Sequence, residues 1–122
     1  MTATLSQDEI VQILTTLKTE GVRSVALTTL EGRSLGSTVT ESGPRFKLGA
    51  LSAASIAIGT KAAAELSLGG LEQIHIVSGN GSLLLSAVGQ KALLSVVTES
   101  GVNFLQISRE MKRIAAQLET SV

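Results

Sequence analysis

Residues 45–66, RFKLGALSAASIAIGTKAAAEL, constrain the fold more than any other stretch of the chain. Wound as a helix, they present two apolar stripes. Leu48, Leu51, Ser55, Ile58, Ala62 and Leu66 recur at spacings of three and four, with the bulk that a helix lying on a sheet requires. Phe46, Ala50, Ala53, Ala57, Thr60 and Ala64 follow the same spacing on roughly the opposite side. This second stripe is small and nearly free of charge, where an ordinary surface helix carries its solvated face. The expectation is a helix that covers its own sheet with the large stripe and meets a partner with the small one. Lys61 stands at the border of the small stripe, where it either touches that partner or extends into water. The expected interface is therefore Phe46, Ala50, Ala53, Ala57, Thr60, Lys61 and Ala64.

The remaining composition agrees with a binding role. A chain of 122 residues fits one domain, 1–122, and buries roughly two-thirds of its unfolded surface. Only 16% of residues are charged against 43% apolar, so parts of the surface must be apolar. Ten basic and ten acidic residues cancel, and the only aromatics are two Phe. Neither an electrostatic nucleic-acid footprint nor a stacking platform is present. With no cysteine and one histidine, neither disulfides nor a thiolate or histidine metal cluster can form. No cofactor is expected. The start, MTATLSQDEI, lacks the basic-then-apolar order of a signal peptide, and the Ala-rich stretch is too weakly hydrophobic to insert in a membrane. A cytoplasmic protein is the expectation.

Taken in order, Ser6 and Glu9 have capping-box spacing and start a helix through Ile10, Ile13, Leu14 and Leu17 that Gly21 ends. VRSVALTTL and RSLGSTV flank Glu31-Gly32 as a hairpin. TESGP reads as a loop before the long helix, which Gly69-Gly70 close. LEQIHIVS, SLLLSAV and ALLSVVT follow with short glycine-bearing turns, predicting an antiparallel meander. Ile74 and Ile76 share one face of the first of these strands, and His75 and Val77 the other. A last helix from near Ser100 carries Phe104, Ile107, Met111, Ile114 and Leu118 on one stripe. The order α-β-β-α-β-β-β-α predicts an α/β sandwich: a five-stranded antiparallel sheet with helices on both faces. LEQIHIVS is placed at a sheet edge, where its backbone can pair with another chain.

This order resembles the roadblock family, the small domain shared with dynein light chains. The resemblance rests on EGVRSVALTTLEGRSL, the Ala-rich helix, GLEQIHIVSGNGSLLLSAVGQKALLSVVTE and the closing helix. It implies a roadblock/profilin-like fold and a homodimer made through the central helix, with edge strands able to join into one sheet. Prokaryotic members similar to this chain are associated with small Ras-like GTPases, and eukaryotic ones serve as dynein subunits or GTPase scaffolds.

Enzyme chemistry finds little support. Gly59-Thr60-Lys61 has the wrong order for a P-loop, and Ala54 occupies the place of its first glycine. Gly79-Asn80-Gly81 precedes a strand, whereas a dinucleotide-binding glycine loop opens a helix. The one Asp, Asp8, sits in a first helical turn, and no serine stands in a nucleophile elbow. His75 reads as an exposed strand position. The expectation is a noncatalytic homodimer that binds and regulates a small Ras-like GTPase, with Arg33, Arg45 and Arg109 as the arginines to test. The alternatives are a structural adaptor indifferent to nucleotide state and a small-ligand or haem-binding sensor.

Overall fold

A computed structural model describes residues 4–121. Residues 1–3 and 122, part of the domain expected over 1–122, lie outside them. The elements are α1 (Gln7–Thr15), β1 (Val22–Thr29), β2 (Ser34–Ser37), α2 (Ser42–Glu65), β3 (Gln73–Ser78), β4 (Gly81–Val88), β5 (Ala92–Thr98) and α3 (Phe104–Glu119). The strands form one antiparallel sheet in the order β2-β1-β5-β4-β3. Each hairpin is local, and the β1–β5 pairing joins the two halves of the chain. The edges fall to β2 and β3, and β3 is the strand expected there.

Strand alternation sends side chains to two unequal cores. Val25, Leu27, Leu84, Leu94 and Val96 face α1 and α3, which supply Ile10, Leu14, Ile107, Met111, Ile114 and Leu118. On the other face only Ile56 of α2 joins Leu85 and Leu93 in a fully buried group. The α3 stripe behaves as its periodicity predicts, with Phe104 half-buried at its start.

Helix ends follow local hydrogen-bonding chemistry, and four depart from expectation. The capping box is formed: Glu9 N–H donates to Ser6 Oγ at 3.2 Å, and Ser6 N–H to Glu9 Oε1 at 3.1 Å. The Ser6 backbone N–H, then its side chain, hold the Glu9 carboxyl below the usual carboxylate range. However, α1 stops at Thr15 instead of running to Gly21. The hydroxyls of Thr15 and Thr16 donate to the carbonyls of Val11 and Ile13, and the chain tightens into short-range turns at Leu17 and Lys18. Next, α2 begins at Ser42, inside the expected TESGP loop. Pro44 falls in its first turn, where a missing N–H breaks no helical bond. The same helix is closed by Ser67 and not by Gly69-Gly70. Ser67 takes φ +58, and the N–H groups of Ser67 and Leu68 bond back to Ala64 and Ala63. Finally, α3 starts at Phe104, not near Ser100, because Asn103 Oδ1 accepts the Gln106 N–H at 3.1 Å.

Candidate partner interface

The orientation of α2 decides which surface this fold offers. The expected core stripe is not the buried one. Leu51, Ile58 and Leu66 stand 57%, 72% and 68% exposed, Ala62 is exposed, and only Leu48 and Ser55 are half-buried. The helix rests on the sheet through Gly49, Ser52, Ile56 and Ala63, with Gly59 half-buried on the same line. The cause is close approach. A Cβ at Gly49 would overlap the Gly32 carbonyl oxygen in the β1–β2 turn, and one at Gly59 would come 2.7 Å from Ile74 Cδ1 on β3. Backbone and small side chains take the contact, so larger residues are displaced to the flanks. At the centre of the contact Ser95 Oγ on β5 donates to Ser52 Oγ at 2.9 Å, both side chains fully buried.

Six of the seven residues named for a partner are exposed. Phe46 is 76% exposed, Ala50, Ala57, Thr60, Lys61 and Ala64 are exposed, and Ala53 is half-buried. Both flanks of α2 are therefore apolar and open. Beside the Leu48–Leu51 flank runs a groove lined by Ser24, Val39, Pro44, Leu83 and Val97. Its floor is sheet, and its walls are mostly apolar, with Lys47 at one side.

Strand β3 extends this surface to the sheet edge. Ile76 and Val77 are exposed there, on opposite faces. Ala87 N–H donates to Glu72 O at 3.0 Å, which sets the register with β4. By alternation Ile74, Ile76 and Ser78 direct their backbone groups to β4, and those of Gln73, His75 and Val77 point outward. On the α3 face, His75 Nε2 lies 3.1 Å from Gln73 Oε1, which also accepts from Ser108 Oγ. Phe104 stacks on the His75 ring, with centroids 6.3 Å apart.

The three candidate arginines are not brought together. Arg33, exposed in the β1–β2 turn, and half-buried Arg45 lie near the Gly32–Gly49 contact, whereas exposed Arg109 belongs to α3 on the opposite face. Nearby, hydrogen bonding to Glu110 raises the pKa of Arg113, with 2.8 Å between Arg113 Nη2 and Glu110 Oε2. Among the described residues no helix is long and apolar enough to cross a membrane, and no three His, Asp or Glu side chains converge as a metal cage requires.

Comparison with known proteins agrees with this architecture. The Roadblock/LC7 domain pattern matches residues 10–98, and the chain belongs to that family. Two uncharacterized proteins of Methanocaldococcus jannaschii, MJ1340 and MJ0310, are each 30% identical over 102 residues, covering 84% of this chain and 89% of the relative. A Roadblock/LC7 domain from Streptomyces avermitilis superposes with TM-score 0.83 at 15% identity, covering 88% of this chain and 92% of that one. An MglB solved in a tetrameric arrangement gives 0.83 at 19%, covering 97% and 92%. Profilin IA of Acanthamoeba castellanii gives 0.61 at 14%, covering 93% and 95%. At these identities the structural likeness establishes the roadblock fold and its kinship in shape to profilin.

Proposed function

We propose that this chain is a noncatalytic homodimer that binds and regulates a small Ras-like GTPase. The observation that carries the reading is the apolar surface of α2, where Phe46, Leu51, Ile58 and Leu66 stand largely in water. A lone soluble domain rarely leaves so many large apolar side chains of one helix open. The surface continues through Ile76 to an edge strand with unpaired outward backbone groups. A second copy placed about a two-fold axis would cover α2 with α2 and extend the sheet through β3. The MglB of similar fold that was solved as a tetramer supports self-association as a property of this shape.

The GTPase is inferred from the family resemblance, in which prokaryotic members are associated with such partners. Regulation needs no catalytic side chain here: a rigid dimer surface can speed turnover or exchange by ordering switch loops. The test uses the purified chain and a small Ras-like GTPase from the same organism, loaded with GDP or a GTP analogue. Preferential capture of one nucleotide state with changed turnover supports regulation. Equal capture with unchanged turnover reduces the protein to an adaptor. No capture removes the GTPase from the reading.

A further inference from the structure

We infer that the two-fold axis of the homodimer passes between two copies of His75, and that protonating this pair loosens the dimer below neutral pH. The inference rests on the dimer proposed above and adds a register and a control to it. The outward backbone groups of β3 belong to Gln73, His75 and Val77. A symmetric antiparallel partner uses all three only if His75 lies opposite the partner's His75, so that Gln73 meets the partner's Val77. A shift by one step either way, with the axis at Ile74 or Ile76, leaves one of the three residues out of the ladder. The complete pairing is favoured because each unmade backbone bond at a covered edge is a cost.

In that register the two His75 residues form a directly opposed pair, with Cα atoms about 5.5 Å apart and side chains on the same face. As neutral rings they sit side by side without penalty. Doubly protonated, they place two like charges within about 6 Å, which weakens association by between about threefold and a hundredfold, depending on screening. The other groups around His75 do not cancel this effect. On β4 the facing residues Ser82, Leu84 and Ser86 carry no charge. On α3, Phe104 stacks on the ring and Ser108 bonds to Gln73, and the charged residues of that helix are Arg109, Lys112, Glu119 and the Glu110–Arg113 pair. Glu72, just before β3, is 3.8 Å from Lys112, so these two largely offset each other. Gln73 and Phe104 contact the ring within one protomer, so their effects are common to monomer and dimer. What changes on association is the partner's His75.

The chain suits the experiment. His75 is its only histidine and it has no cysteine, and the His75→Gln chain is the control for every other group that changes charge between pH 7.5 and 5.5. Sedimentation equilibrium at both pH values reads the dissociation constant, with circular dichroism confirming the fold. We expect about a tenfold rise for the native chain at pH 5.5, none for His75→Gln, and a weak dimer at both pH values for His75→Lys. A constant independent of pH, or an equal rise in His75→Gln, overturns the inference and leaves the dimer standing. A monomer at pH 7.5 overturns both. Register has its own readout, because any introduced cysteine is the only thiol. On mild oxidation His75→Cys should link protomers covalently, since the expected Cα separation lies within disulfide range, and Ile76→Cys should not. Linkage by Ile76→Cys in place of His75→Cys contradicts the register.

Discussion

Ser52 on α2 and Ser95 on β5 share a hydrogen bond of 2.9 Å, fully buried between helix and sheet. It is a polar contact at the centre of an otherwise apolar layer, and its worth depends on both partners being present. Replacing either serine by alanine leaves the other hydroxyl short of a partner in a dry site, an expected loss of about 1–2 kcal/mol. The double substitution should cost clearly less than the sum, because no hydroxyl is stranded. Urea denaturation of the three variants at one protein concentration gives the coupling.

A second expectation separates two glycines of the same helix. Alanine within a helix gains about 1 kcal/mol over glycine. At Gly49 that gain is overwhelmed, because the new methyl would strike backbone, the Gly32 carbonyl. Gly49→Ala should destabilise by about 1–2 kcal/mol net. At Gly59 the methyl meets only the ends of flexible side chains, Ile74 Cδ1 at 2.7 Å and Leu71 Cδ2 at 3.1 Å, so Gly59→Ala should stay within about 1 kcal/mol of the native chain. Thermal unfolding at matched concentration ranks them.

These glycines also mark where sequence reading succeeded and where it failed. The element order, the β3 edge, the capping box and the α3 stripe were legible because each depends on local chemistry or a single amphipathic period. The sheet-facing side of α2 was not. The helix has apolar residues almost all round, and burial area alone selects Leu51, Ile58 and Leu66 for the core. Close packing selected the opposite kind of residue, the line Gly49, Ser52, Ile56, Gly59 and Ala63. Its three-four spacing was present in the sequence, but small residues also read as an interface with another chain. A single chain does not say which of its apolar faces meets itself and which meets a partner.

Acid should act on α1 through its cap. The Glu9 carboxyl titrates lower in the folded chain than in the unfolded one because Ser6 donates to it. Its contribution is therefore complete above the ordinary glutamate range and disappears as pH falls through the folded value. Glu9→Gln, which keeps the cap geometry without the titration, should lose less stability than the native chain between pH 6 and pH 3. Paired urea titrations at the two pH values test the difference. Equal losses would show that the carboxylate contributes nothing through its charge.

The central claim is that the outward side of α2 meets a second copy of the chain. Its most direct test is the solution mass of the native chain beside the Ala50→Glu/Ala57→Glu variant, by sedimentation equilibrium at micromolar concentration. Both alanines are exposed, so the substitutions leave the protomer's own packing intact, while a two-fold interface would gather four carboxylates with only the bordering Lys47 and Lys61 of each copy to offset them. The native chain should weigh twice its 12.6 kDa and the folded variant 12.6 kDa. A native monomer, or a variant that dimerises as tightly as the native chain, would contradict the account.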